Sequence, residues 1–201
     1  VVKVGRERFI LDNHRFIGNV GWRQNEQTYD AASLVNKSLP DSTLTYAYVW
    51  GVERVFGEDS AVGDFESDSH LIHFAYSGLG IGTLTAYAYL LDFDEASAFS
   101  SQSYGLRFTG KYALTEPWSL LYAAEYAWQA DYGNNPADNA FSYALIEPGI
   151  AYDTASLRLG FELLGGNGQR AFQTPIATLH AFQGWADKFL VTPLDGLIDS
   201  F

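Results

Sequence analysis

Eight segments in which apolar and polar residues alternate with a period of two, joined by connections that are short and long by turns, constrain this chain more than any other feature. They run Thr28–Lys37, Thr43–Phe56, His70–Ser77, Thr83–Leu91, Ser103–Leu114, Trp118–Ala130, Phe141–Tyr152 and Ala155–Leu163. Successive side chains of a strand point to opposite faces, so each segment predicts a strand with one apolar side. Tyr104, Leu106, Phe108 and Tyr112 oppose Ser103, Gly105, Arg107, Thr109 and Lys111. Trp118, Leu120, Tyr122, Tyr126 and Trp128 oppose Ser119, Ala123, Glu125 and Gln129. Leu157, Leu159, Phe161 and Leu163 oppose Ser156, Arg158, Gly160 and Glu162, and Leu44, Tyr46, Tyr48, Trp50 and Val52 oppose Thr45, Ala47, Val49, Gly51 and Glu53. In Thr83–Leu91 the two faces compete, Tyr87 and Tyr89 against Leu84, Ala86 and Leu90.

Short links fall at Ser38–Ser42, Gly78–Gly82, Thr115–Pro117 and Asp153–Thr154, all rich in turn-forming residues. Longer polar links fall at Gly57–Ser69, Asp92–Gln102, Asp131–Ala140 and Leu164–Leu179. Their strict alternation predicts an antiparallel barrel with tight turns at one rim and long loops at the other. Trp118 follows a short turn and Trp128 precedes a long loop, as two interfacial aromatic girdles require. A soluble antiparallel sheet alternates in the same way, so a soluble β-sandwich or barrel stays open at this point.

No stretch approaches the ~18 uncharged apolar residues of a membrane-crossing helix, which leaves the barrel as the membrane solution. Cysteine and methionine are absent, which excludes disulfide scaffolds, thiol nucleophiles and cysteine-ligated zinc. Twelve Lys+Arg against 24 Asp+Glu give a net charge of -12, a poor match for nucleic acid. The 47% apolar content argues against disorder. The chain opens at Val1 rather than at a methionine and closes just after a loop-like Thr192–Gly196, so it is expected to be processed or an internal piece of a longer protein.

Chemistry is sparse. His14, His70, His73 and His180 match no metal-binding spacing, and His70 and His73, an odd number apart, face opposite sides of a strand. There is no Gly-x-Ser-x-Gly elbow, although an esterase or protease built from scattered residues stays open. Gly78–Gly82 lies between two strand-like segments and is read as a hairpin rather than a phosphate loop. No enzyme, cofactor or metal is expected. The long connections are acidic, with Glu58, Asp59, Asp64, Glu66, Asp68, Asp92, Asp94 and Glu95. A solvated face explains them, and divalent cations bridging them to each other or to lipopolysaccharide is the alternative.

Face assignment makes Glu53, Arg107, Lys111, Glu125, Arg158 and Glu162 candidate lumen charges, or the solvated face of a soluble sheet. Arg6, Arg8, Arg15 and Arg23 are dense in the first part of the chain. They suit either a basic constriction for carboxylate solutes or local ion pairing with Glu7, Asp12 and Glu26.

The runs Gly5-Arg6-Glu7-Arg8 to Leu11-Asp12-Asn13, Arg15-Phe16-Ile17-Gly18 and Gly21-Trp22-Arg23-Gln24-Asn25-Glu26-Gln27-Thr28-Tyr29-Asp30-Ala31 resemble the alginate-export family of Gram-negative outer-membrane β-barrels. So do Phe172-Gln173-Thr174-Pro175-Ile176-Ala177-Thr178-Leu179-His180-Ala181-Phe182 and Gly184-Trp185-Ala186-Asp187-Lys188-Phe189. The resemblance implies a signal-exported, monomeric porin-like channel of about eighteen strands, with Arg6, Arg8, Arg15 and Arg23 as positions to watch in its pore. About eight to ten strands are legible, which implies part of such a barrel. Acids and bases balance on the strand faces after residue 40, which does not support an alginate-selective lumen here.

The expectation is therefore an all-β chain, residues 1–201 forming a portion of one antiparallel transmembrane β-barrel in the outer membrane of a Gram-negative bacterium. It would touch lipid and lipopolysaccharide and pass polar or anionic solutes, alginate-like polysaccharide among them. The alternatives are a soluble acidic β-sandwich that binds carbohydrate and a small complete barrel that acts as an enzyme or anchor.

Overall fold

Strands form where the alternation lies, and they pair in chain order. The computed structural model describes residues 1–57, 59–60, 62–182 and 190–201. Glu58 and the run 184–189 of the family resemblance lie outside the described residues.

The strands are β1 (Val2–Glu7), β2 (Thr28–Asn36), β3 (Ser42–Glu53), β4 (Asp64–Tyr76), β5 (Thr83–Leu91), β6 (Ser101–Thr115), β7 (Trp118–Asp131), β8 (Ala140–Tyr152), β9 (Ala155–Arg158), β10 (Phe161–Gly165) and β11 (Gly196–Ser200). All belong to one sheet of order β1-β2-β3-β4-β5-β6-β7-β8-β10-β11, with β9 on β8, and every pairing is antiparallel. A single up-and-down sheet leaves no second layer among the described residues, so the two-sheet sandwich is excluded there. β1 pairs only with β2 and β11 only with β10, so no closure of the sheet on itself is seen among those residues.

Three features depart from the sequence reading. β1 and β11 are additional strands, and β11 occupies the end of the chain beyond the loop-like Thr192–Gly196. β4 starts at Asp64, inside the expected acidic connection. The expected strand Ala155–Leu163 is split, although Gly149↔Arg158 and Ile146↔Phe161 keep one continuous register across the gap. Pro148 lies opposite the gap; its carbonyl accepts from the Leu159 N–H (2.9 Å), but it has no N–H to return. Gly160 bonds to Phe201 instead.

The two faces differ sharply. Outward stand Leu106, Tyr126, Ile146, Leu157, Leu159 and Phe161, all large and exposed. Trp118 packs edge-on to Tyr152 near the short turns, and Tyr104 stacks with Trp128 near the long loops. Inward stand Tyr29, Ala47, Val49, Leu71, Tyr87, Tyr89, Tyr143 and Leu145, all buried. The competition in β5 resolves with Tyr87 and Tyr89 inward.

The long connections 8–27 and 166–182 lie against this inner face and bury it. Phe16 touches the rings of Tyr87, Tyr89, Tyr143 and Phe172. Each such fully buried large side chain is worth roughly 1.5–3 kcal/mol. The two connections also bind each other: Gly18 N–H donates to the Ile176 carbonyl (3.0 Å) and Thr178 N–H to the His14 carbonyl (3.0 Å). Gly18 is required there, because a Cβ would collide with Thr178. Of the runs that carry the family resemblance, 15–18 and 172–182 are thus largely the inner packing surfaces of two loops.

Candidate functional site

The inner face gathers the chain's buried charge. Arg107 and Glu125 are register partners on β6 and β7, and they form an ion pair with the carboxylate side chain 1% exposed. Tyr87 donates its hydroxyl to the same carboxylate (2.8 Å). Tyr87 reaches across because Gly105 is its neighbour in the pairing; a Cβ there would collide with the Tyr87 ring.

A second cluster has the same composition and a different origin. Arg15, 0% exposed in the first long connection, holds Glu162 of β10 through Nε (2.7 Å) and Nη2 (3.2 Å). Its Nη1 donates to Thr174 Oγ1 (3.0 Å), and Tyr143 donates to Glu162 (2.8 Å). The guanidinium also lies over the rings of Tyr143 and Phe182. Nearby in the sheet, His73 of β4 meets Asp12 at 2.9 Å, while His70 faces the other way and meets Tyr46.

Of the sequence candidates, Arg107, Lys111, Glu125, Arg158 and Glu162 share the inner face. Arg158 pairs with Glu147 at 2.6 Å. Lys111 lies toward the short turns, opposite Leu121. Arg15 joins them from its loop. Arg8 and Arg23 stay at the long-loop rim, Arg8 on Glu26 (2.9 Å) and Arg23 over the Trp22 ring. Hydrogen bonds from Arg8 and Asn19 hold the Glu26 carboxyl below the usual glutamate range.

Arg6 and Glu53 lie on the opposite face, which corrects their assignment to the inner row. Arg6 pairs in register with Asp30, next to inward Tyr29 and Ala31, and binds both Asp30 (2.8 Å) and Glu53 (2.6 Å) on the outer side. Glu53 moves because the register shifts between Val49 and Gly51, so that Val49 and Val52 both turn inward. Arg6, Arg8 and Arg15 are thus ion-paired, with Asp30 and Glu53, Glu26, and Glu162 in turn, and only the Arg8–Glu26 pair is among those expected. Of the expected partners Glu7 and Asp12, Glu7 pairs with Lys3 and binds Ser33, and Asp12 binds His73.

The residue pattern did not single out Tyr87, Tyr143 or Arg54, nor the meeting of His73 with Asp12. The inward parity of Tyr87 was present in the alternation; the loop partners had no local signal. Burial lowers the affinity of Arg54 for its proton, and its guanidinium rests on Phe56 and Phe65. Among the described residues no group of three or more His, Asp or Glu is placed to hold a metal ion. No described helix is long and apolar enough to cross a membrane, which says nothing of strands.

Among the described residues the sheet is a one-layer antiparallel meander, apolar on one face and charged on the other, with long loops folded against the charged face, a barrel-like arrangement. Comparison with solved structures gives the same fold. Pseudomonas aeruginosa OpdL matches with a TM-score of 0.71 and 19% identity over 90% of this chain and 51% of that one. P. aeruginosa OpdK, an outer membrane protein, matches in its vanillate complex at 0.67 and 14%, over 91% of this chain and 50% of OpdK. P. aeruginosa OccK2 (OpdF) in complex with glucuronate matches at 0.67 and 16%, over 85% and 46%. The chain thus spans about half the length of the structures it matches. No family model matches the chain. No curated protein matches it either. The likeness bears on the barrel fold rather than on alginate export.

Proposed function

We infer that the chain is part of an outer-membrane channel that lets small polar or anionic solutes diffuse through a water-filled passage. The observation that carries this is the division of charge in one sheet. Arg107, Glu125, Arg158, Glu147 and Glu162 lie on one side, and a wide band of exposed Tyr, Trp, Leu and Ile lies on the other. Such a band is a liability in water and the ordinary surface of a strand in lipid. The outer-membrane fold of the matched structures supports the same location, in a Gram-negative envelope with lipid and lipopolysaccharide around the barrel.

The matched OpdK and OccK2 structures hold vanillate and glucuronate, both single-ring carboxylates. They favour small anions over an alginate polymer as the solute here. Along the inner face, Arg107, Lys111, Arg15 and Arg158 would offer fixed positive charge, tempered by Glu125, Glu147 and Glu162. Arg8 and Arg23 stand at the rim, where they would meet solute first. No cofactor or covalent step is involved, and a monomer suffices, since an up-and-down barrel completed by the remaining strands has no free edge. The test is reconstitution of the full-length protein into planar bilayers. Discrete conductance steps, with glucuronate crossing in liposome swelling, are expected; a protein extracted without detergent that does not conduct would end the channel reading.

A further inference from the structure

Neither charged cluster uses a cavity whose largely apolar wall carries a few polar groups. It lies at the long-loop rim, between the inner ends of β6 to β8 and the connections 92–100, 132–139 and 166–175, with a volume of about 210 Å³. At ~30 Å³ per liquid water that is room for about seven waters, the space of one sugar ring rather than of a polymer.

Its lining is built rather than incidental. Asn135 Nδ2 donates to the Ser100 carbonyl (2.7 Å), and its Oδ1 accepts from Arg170 Nη1 (3.2 Å), which fixes the guanidinium at the wall. Gln129 is locked from both ends, donating to the Gln173 carbonyl (2.8 Å) and accepting from the Gln173 N–H (2.8 Å). These residues set the shape and have little bonding capacity left.

Others have capacity to spare. Ser101 is 6% exposed, and its hydroxyl is buried with no hydrogen-bond partner. Arg170 has five N–H donors in its guanidinium and uses one, with no carboxylate paired to it among the described residues. Asp131 accepts the Asn139 N–H through Oδ2, which leaves its second oxygen open. No ion pair joins Asp131 to Arg170. Phe99, Phe141 and Leu194 supply apolar wall.

We propose that this cavity is a binding site for a single neutral sugar ring. A hydroxyl both donates and accepts, so the several hydroxyls of one neutral sugar can meet an open carboxylate oxygen, an underused guanidinium and a serine hydroxyl at once. The apolar walls take the C–H face of the ring. A carboxylate solute would gain from Arg170 and lose against Asp131, so the site selects differently from the charged inner face. A hydroxyl of the bound ring would give the Ser101 hydroxyl the partner it lacks.

The inference goes beyond the channel reading and stands on the cavity's own groups, and one protein tests both. Titration of detergent-solubilised full-length protein with glucose and with galactose is expected to show saturable binding of at least one, with glucuronate weaker. Arg170→Ala and Asp131→Asn should each weaken it about tenfold, and Ser101→Ala by a few-fold. Absence of saturable sugar binding, tighter binding of glucuronate, or indifference to all three substitutions overturns the site. Conductance of the same unmodified preparation separates the two claims. Conductance without sugar binding removes the site alone, and sugar binding without conductance removes the channel while leaving the site in place.

Discussion

Two parts of the inner face hold the same three chemical groups and reach them by different routes. In the first, Arg107, Glu125 and Tyr87 come from the adjacent strands β5, β6 and β7, and register alone brings them together. In the second, Arg15 comes from a loop and meets Glu162 across 147 positions of sequence, with Tyr143 and Thr174 completing the shell. The strand-built cluster is a property of pairing. The loop-built one is a tie between a connection and the sheet, so it controls how far that connection fills the interior. Like residues therefore serve the sheet in one place and the seating of a loop in the other.

The largest effects separate the two routes directly. Arg15→Met and Arg107→Met each leave a buried glutamate without its cation, which should cost about 3–5 kcal/mol. In the full-length protein in detergent, Arg15→Met should expose connection 8–27 to protease while the strands persist. Arg107→Met should lower the unfolding temperature of the sheet with that connection still protected. Identical cleavage patterns would remove the distinction.

An arginine with no carboxylate on the outer face supplies the reference. Leu159 is 63% exposed, and Leu159→Arg should cost about 2–4 kcal/mol in a bilayer, measured by reversible folding into vesicles. A neutral result would show that this face does not meet hydrocarbon. Next come the hydroxyls: Tyr87→Phe and Tyr143→Phe each remove one hydrogen bond to a charged acceptor, worth roughly 1.5–3 kcal/mol. Equal losses in chemical denaturation are expected if the two carboxylates are equally dependent on their tyrosines.

The smallest effect lies at the rim. The Glu26 carboxyl is held below its ordinary range by hydrogen bonds from Arg8 and Asn19. Its contribution is present above the unfolded-state value, about 4.3, and is lost as pH falls through the lower folded value. Cleavage of connection 8–27 by an acid-active protease should therefore rise below that pH, and Glu26→Gln should abolish the dependence.

Much of the sheet was legible because period-two alternation is a local property: β2, β5, β7 and β8 fall within a residue or so of the expected spans. Arg107 and Glu125 were legible as inner-face residues for the same reason. Glu53 was not, since an irregularity at Trp50 shifts parity, and no composition rule marks such a shift. β1 escaped although Val2 and Val4 alternate with Lys3 and Gly5, because its partner lies beyond a long connection. His73 and Asp12 were both visible, and their meeting was not.

By itself the sequence determined the strand periodicity, the turn order, the apolar outer face and the absence of thiol chemistry. Those follow from backbone geometry and side-chain type, which act over a few residues. Only the tertiary structure decided which arginines are buried, that Arg6 faces outward, and that connections 8–27 and 166–182 fold onto the inner face. Such contacts join residues as far apart as Arg15 and Thr174. Their free energy comes from desolvation and pairing in three dimensions, for which no local pattern stands proxy.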